Sequence, residues 1–218
     1  MNHTELLSNA KPILFNTSMV KAMLEGRKCC TRRLCTPQPV FRNGETGVFV
    51  EMDDGSFQLK VDGYKSIYDY PTYSKYFVGD ILYVRETWAE DKNVYFYKAD
   101  FSDDDLQKIA NITRWRPSIH MPKVASRIFL RVTNVRLERL QEITEEDAVK
   151  EGVFFCDELF SGYHWGEHEI GHVWDSARNA FLWGLWNSTV PTSDKDIYGW
   201  QANPWVWVYE FELVEKEG

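Results

Sequence analysis

The stretch of sequence that most constrains the fold is KAMLEGRKCCTRR, residues 21–33, because it joins the end of a helix to a dense set of reactive side chains. Val20, Met23 and Leu24 have the i, i+3, i+4 spacing of one apolar helical face. Gly26 then stands where such a helix needs a left-handed terminating residue. We therefore expect a helix that ends at Gly26 and an extended segment that leaves it.

Beyond Gly26, the alternation of an extended chain divides the side chains into two sets. One side carries Lys28, Cys30 and Arg32, and the other carries Arg27, Cys29, Thr31 and Arg33. Four cations, a hydroxyl and two thiols are thus crowded into one short segment. Charge runs of this kind most often form a solvated basic loop, and a binding or catalytic site is the alternative.

Composition and charge narrow the classes of function. The 218 residues can form one large domain or two small ones, and 15% of them are aromatic, with nine Trp and eleven Tyr. Aromatic side chains fill cores, but they also form the platforms on which nucleobases stack. The net charge of −8 disfavours sequence-blind binding to long duplex DNA, because the field of the protein would repel phosphate. A local basic pocket is compatible with this charge.

The sequence also indicates a compartment. No apolar run approaches the roughly 18 residues that a membrane span needs. The N-terminal sequence MNHTELLSNA lacks a basic region followed by an apolar stretch. We therefore expect a cytoplasmic protein without a membrane partner. Cys29, Cys30, Cys35 and Cys156 form no CxxC pair, so we expect free thiols.

Local patterns predict a chain with more strands than helices. Strands are expected at residues 12–16, 47–52, 56–61, 81–86, 95–98, 125–137 and 203–213, and helices at residues 17–25, 102–110, 144–152 and 177–187. Two prolines in residues 115–122 predict a rigid loop there. This profile is typical of a small closed or partly closed sheet with helices at its ends.

Four segments carry a family resemblance: KPILFNTSMVKAMLEGRKCCTRR, GDILYVRETWA, RLERLQEITEEDAVKEGV and the terminal NPWVWVYEFE. The most specific feature is a G-x-K-x-x-T-x-R segment, formed by Gly26, Lys28, Thr31 and Arg33, together with the ITEEDAVKEG helix. In this combination the chain resembles the ASCH domain, a branch of the PUA-like superfamily, and in particular its phage-encoded members. The resemblance covers most of the chain.

The resemblance implies an α+β fold, a PUA-like mixed β-barrel with flanking helices and loop insertions. It implies a single domain over residues 1–218, with an insertion at about residues 37–76 and a loop-rich segment at about residues 154–175. It also implies a cleft for a nucleoside, a nucleotide or single-stranded RNA, without a cofactor.

A compact bacterial branch of the superfamily hydrolyses N4-acetylcytidine with a Lys, a Thr and a Glu. These positions fall on Lys28, Thr31 and Glu151, which the resemblance makes the base, the nucleophile and the orienting acid. The chemistry is reasonable, since a hydroxyl attacks an amide only when a base removes its proton, and burial favours the neutral amine of a lysine. Arg33 or the backbone amides near Gly26 would stabilise the oxyanion.

Binding without turnover is the alternative function. Lys28 and Arg33 would then contact phosphate, and Thr31 a base edge. Glu151 would be a helix-end carboxylate that pairs with Lys28. Beside the three catalytic candidates, the expected substrate-binding residues are Gly26, Arg33, Arg85, Glu86, Trp88 and Trp115.

The remaining candidate residues are histidines and tryptophans. His164, His168 and His172 would share one face of a helix and could form a zinc site with Cys156. Glycines interrupt this segment, so we predict an exposed loop and no metal. Six C-terminal tryptophans are expected in the core or at the rim of the barrel, with one or two lining the cleft: Trp174, Trp183, Trp186, Trp200, Trp205 and Trp207.

Overall fold

The computed structural model describes residues 3–38, 47–51, 57–61, 74–109, 114–157, 161–166 and 173–214. Over these residues the chain is a mixed α+β structure with one five-stranded sheet and three two-stranded sheets. The predicted α+β class is confirmed.

The strands are β1 (Lys11–Leu14), β2 (Cys30–Leu34), β3 (Gly47–Glu51), β4 (Phe57–Val61), β5 (Ile81–Arg85), β6 (Trp88–Asp91), β7 (Val94–Tyr97), β8 (Phe129–Arg139), β9 (Phe154–Cys156), β10 (Gly162–His164) and β11 (Trp205–Leu213). The α-helices are α1 (His3–Asn9), α2 (Thr17–Leu24), α3 (Asp103–Ile109), α4 (Glu145–Lys150), α5 (Ala177–Asn179), α6 (Asn187–Thr189) and α7 (Lys195–Tyr198). A π-helix, Ala180–Trp186, joins α5 to α6. Helices α1 and α7 and strands β6, β9 and β10 were not predicted from the sequence.

The five-stranded sheet has the order β1-β5-β8-β11-β2. Strands β1 and β5 are parallel, and every other neighbouring pair in this sheet is antiparallel. The long strands β8 and β11 form its centre, with a register shift between Glu210 and Phe211. The sheet thereby brings β2, which follows the basic segment, next to the C-terminal strand.

The expected barrel is not closed. Across the described part of the chain the sheet is open, with β1 and β2 as its two edges. The edges nevertheless approach each other, because Nη2 of Arg33 on β2 donates to the carbonyl oxygen of Leu14 on β1 at 2.7 Å. Pro12 deprives β1 of one backbone donor, so this edge strand cannot offer a complete ladder. A side-chain contact takes the place of strand pairing at this point.

Helix α2 follows its sequence signals closely. The side chain of Asn16 caps the helix by accepting the N–H of Met19 at 2.8 Å. The helix stops at Gly26, which has φ of 74°. Its inner face, with Val20 fully buried, packs in the same core as the sheet. The predicted helix end at Gly26 is confirmed.

Two further helices cover the sheet. Ala148 of α4 and Phe181 of the π-helix belong to the same buried cluster as β8 and β11. Helix α4 begins at its predicted cap, because the hydroxyl of Thr144 accepts the N–H of Asp147 at 3.1 Å. No helix in the described ranges is long and apolar enough to cross a membrane.

The predicted hairpin in the insertion is present as β3 paired antiparallel with β4. Its predicted turn, residues 53–55, lies outside the described residues, as do most of residues 37–76. His168 and His172 lie outside them too.

Candidate functional site

Lys28 and Glu151 form a buried ion pair. They are 123 positions apart in the sequence, yet Nζ of Lys28 lies 2.6 Å from Oε2 of Glu151. Their side chains are 0% and 1% exposed. Glu151 is the residue that ends α4, and its backbone forms an isolated antiparallel bridge with that of Lys28. The end of helix α4 therefore positions the carboxylate that pairs with Lys28.

The ammonium group of Lys28 has three hydrogen-bond acceptors. Besides the Glu151 carboxylate, it donates to the carbonyl oxygens of Cys30 at 2.8 Å and Glu151 at 2.9 Å. A lysine has three N–H donors, so every one of them has a partner inside the protein. The buried ammonium group therefore leaves no donor unsatisfied, as burial of a charged group requires.

Arg32 extends the pair into a larger ionic network. Its guanidinium lies 3.3 Å from the Glu151 carboxylate, 2.6 Å from Glu138 and 3.1 Å from Asp147. Arg136 of β8 adds ion pairs to Glu138, Asp147 and Glu210. Burial alone would lower the pKa of Arg32, but the charges of Glu151, Cys30 and Glu138 outweigh it and raise this pKa.

The alternation predicted after Gly26 is confirmed by this network, because Lys28 and Arg32 both bind Glu151. The role of Arg32 itself was missed. Its signal was present in the sequence, since it shares the side of Lys28 in an extended segment. The pairing with Glu138 and Arg136 depends on the register of distant strands and had no local signal.

Thr31 and Arg33 lie on the opposite face of β2 from Arg32, as strand alternation requires. Thr31 is buried and lies directly across from Tyr209 on β11. The Arg33 guanidinium lies 5.0 Å above the Phe15 ring. Nζ of Lys28 is 5.9 Å from the same ring, so Phe15 lies near both cations.

The backbone amides near Gly26 already have partners. The N–H of Gly26 donates to Met23 O at 3.0 Å, and the N–H groups of Arg27 and Lys28 both donate to Ala22 O, at 2.9 and 3.0 Å. These three bonds complete the end of α2. The amides are therefore occupied in the helix cap and are not directed towards an oxyanion.

The other expected binding residues form a second group around β5, β6 and β7. Glu86 is buried and bound by the Arg127 guanidinium at 2.9 and 3.1 Å. Burial raises the pKa of Glu86, although Arg127 opposes the shift. Arg85 donates to the carbonyl oxygens of Met121, at 3.0 Å, and Ile119.

The two tryptophans of this group differ in exposure. Trp88 is buried, with its ring 5.9 Å from that of Tyr95, and Trp115 is half-buried against Phe101 at 5.6 Å. Among the described residues, no hydrogen bond or ion pair joins Arg85, Glu86, Trp88 or Trp115 to the side chains of Lys28, Thr31 or Glu151. The expected residues thus divide into two locations, linked through the bond from Phe15 N to Arg85 O at 3.1 Å.

The histidine segment and the thiols carry no metal cluster within the ranges that the structure describes. The exposed loop predicted here is wrong at His164, which is buried in the β9–β10 hairpin and stacks on Phe154 with ring centroids 5.7 Å apart. All four cysteines are free thiols. Cys30 is buried, and burial together with Glu151 raises its pKa well above the usual value.

Comparison with protein families, with curated proteins and with solved structures finds no match to this chain.

Proposed function

We propose that this chain is an ASCH-type protein of the PUA-like superfamily that binds a nucleoside, a nucleotide or single-stranded RNA. The observation that carries the proposal is the contact between Lys28 and Glu151, 2.6 Å apart and both buried. The resemblance assigns one site to these two residues, which belong to separate motifs. The approach of β1 and β2 through Arg33 and Leu14 supports a sheet that curves as a partly closed barrel does.

The buried pair is better suited to organising the protein than to holding a phosphate. A phosphate would need an accessible ammonium, whereas the side chain of Lys28 is 0% exposed and its donors are taken. Removing one partner would leave a buried charge uncompensated, which is a large cost. In this function the Lys28–Glu151 pair joins the segment before β2 to the residue that caps α4, and the ligand contacts other residues.

Hydrolysis of an N4-acylated cytidine, or of a related modified nucleoside, is the second candidate function. The 2.6 Å bond favours it, because a proton shift from Lys28 to Glu151 would leave a neutral amine. This reaction requires the buried Thr31 and Lys28 to become accessible to the substrate and to each other, because no hydrogen bond joins these two side chains in the described residues. As Oγ1 of Thr31 then bonds to the acyl carbon, the hydroxyl proton passes to that amine. When the C–N4 bond breaks, N4 takes this proton and cytidine leaves. Water then cleaves the acyl ester on Thr31, which releases the acid and restores the hydroxyl.

A chromatographic assay with N4-acetylcytidine separates the two functions. Hydrolysis through Thr31 predicts turnover by the wild type, partial turnover by Thr31→Ser and none by Thr31→Val, which has nearly the same shape and should fold. Binding alone predicts retention of the nucleoside without release of acetate. Full turnover by Thr31→Val would exclude the threonine as nucleophile.

A further inference from the structure

An open groove lies between the start of helix α2 and the π-helix. Its volume is about 630 Å³, and its lining includes Trp165, Trp174, Trp183, Gly184 and Lys98. We call it the tryptophan groove. This volume lies in the usual range of pockets for small ligands. Two of the six C-terminal tryptophans, Trp174 and Trp183, thus line a pocket, whereas Trp186, Trp205 and Trp207 are in the core.

The wall of the groove is made by close packing at Gly184. A Cβ added there would lie 2.8 Å from Cβ of Trp165 and 3.1 Å from the ring of Trp174, so only glycine fits between these two side chains. Trp183 is the preceding residue and is 59% exposed, although it is large and apolar. Both Trp183 and Gly184 belong to the π-helix. Such helices are rare and are frequently found at functional sites.

The groove also has charged groups of both signs. Lys98 is half-buried, and its ammonium has no hydrogen-bond or ion-pair partner in the described part of the chain. Asp103 lines the tryptophan groove and also a smaller pocket of about 340 Å³ beside it. Lys21 and Arg27 line the smaller pocket. Aromatic surface beside a half-buried lysine suits an anionic ligand that has a flat ring.

The groove adjoins the buried ion pair. A Cβ at Gly152 would lie 3.0 Å from the Trp165 ring and 3.3 Å from Cβ of Lys28. The Trp165 ring therefore packs over the residue that follows Glu151. Gly152 therefore lies between the Trp165 ring, which lines the groove, and the side chain of Lys28.

We propose that the tryptophan groove is the nucleotide site of this protein. The base stacks on the exposed ring of Trp183, the phosphate binds Lys98, and Asp103 accepts a hydrogen bond from an amino group on the base. The inference rests on the proposed function and names where its ligand binds. Cytosine has such an amino group and uracil does not, so cytidine 5′-monophosphate should bind more tightly than uridine 5′-monophosphate.

Isothermal titration with cytidine 5′-monophosphate tests the aromatic part of the site. Trp183→Ala should weaken binding about tenfold, the usual loss for one stacked base, and Trp183→Phe should retain most of the affinity. Phe77→Ala is the matched control, because Phe77 is an exposed aromatic residue that packs near Lys11 and lines neither pocket. It should bind as the wild type does. Thermal unfolding of each variant checks that it is folded.

The charged groups are tested in the same way. Lys98→Ala should weaken binding of cytidine 5′-monophosphate but leave binding of cytidine unchanged, and Lys195→Ala, which removes an exposed cation elsewhere, should affect neither. Asp103→Asn should reduce the preference for cytosine over uracil. Wild-type affinity in both Trp183→Ala and Lys98→Ala would show that the nucleotide does not bind in the tryptophan groove, while nucleotide binding by the protein would still stand. Failure of the wild type to bind either the nucleotide or single-stranded RNA would overturn the proposed function as well.

Discussion

At the scale of single residues, the main feature is that the buried charges around Glu151 are paired with opposite charges. Lys28, Glu151 and Arg32 are each at most 5% exposed, yet each has a partner of opposite charge. A buried ion pair of this kind adds little stability over apolar packing, but breaking it is costly. The loss in free energy of unfolding when one partner is removed therefore measures how strongly these buried charges depend on each other.

Lys28→Met should lower the free energy of unfolding by about 3 kcal/mol, because it leaves the Glu151 carboxylate buried with only Arg32 as its ionic partner. Adding Glu151→Gln should restore part of this loss. Urea unfolding measures both values. The control Lys195→Met changes an exposed lysine and should stay within about 0.5 kcal/mol of the wild type. An equally small effect of Lys28→Met would mean that the pair is hydrated.

The thiols should differ in reactivity. Cys29 is exposed, although partial burial raises its pKa too, whereas Cys30 and Cys35 are buried; burial raises the pKa of Cys30 well above its usual value and that of Cys35 to about 11. Because the thiolate is the reactive form, alkylation of the folded protein at pH 8 should label Cys29 and spare Cys30 and Cys35. Mass spectrometry of the labelled peptides tests this. Labelling of Cys30 at the rate of Cys29 would show that β2 opens readily.

At the scale of elements, short sequence patterns correctly predicted the features that depend only on neighbouring residues. Asn16, Gly26 and Thr144 have cap geometries that a few neighbouring residues define, and all three were assigned correctly. Strand β6 was missed because its pattern is half acidic, and pairing with β7 rather than its own periodicity makes it a strand. The π-helix and the open sheet depend on packing between distant segments, which no local pattern reports.

The candidate site likewise has one part that the sequence predicted and one part that it did not. Lys28 and Glu151 were expected together from their two motifs, and they lie together. The partners of Arg32 could not be predicted, because the contact with Glu138 requires the order of β8, β11 and β2 in the sheet.

Two glycines that end helices offer a matched pair of variants. Gly26 has φ of 74°, and a Cβ added there would meet only open space, so Gly26→Ala should cost only about 1 kcal/mol of backbone strain. Gly152 has φ of 107°, and a Cβ there would lie 3.0 Å from Ala22 and from Trp165. Gly152→Ala should therefore cost clearly more in the free energy of unfolding. Equal costs, measured by urea unfolding, would contradict the close packing of Trp165.

At the scale of the whole molecule, negative charge is in excess. The chain has a net charge of −8, and many of its cations are engaged in internal ion pairs. The long-range field should therefore repel long nucleic acids. Under the proposed function, recognition would depend on a small number of local contacts, which fits a short ligand in a pocket better than an extended duplex on a surface.

The stability of the molecule should depend on pH through Glu86. Burial raises its pKa in the folded state, so its contribution is fully present below the unfolded pKa of about 4.3 and is lost as pH rises through the folded pKa. The free energy of unfolding of the wild type, relative to Glu86→Gln, should thus fall as pH rises above about 4. Urea unfolding at several pH values gives this difference. A rise with pH would mean that the ion pair with Arg127 outweighs burial.

Binding of a short single-stranded RNA, measured at several salt concentrations, tests the central claim most directly. A five-nucleotide oligocytidine should bind saturably, and the logarithm of its association constant should fall with the logarithm of salt at a slope of about −0.7 to −2, corresponding to one to three phosphates. Absence of saturable binding, or a steep slope that corresponds to many phosphates, would contradict a nucleotide-binding protein with a compact site.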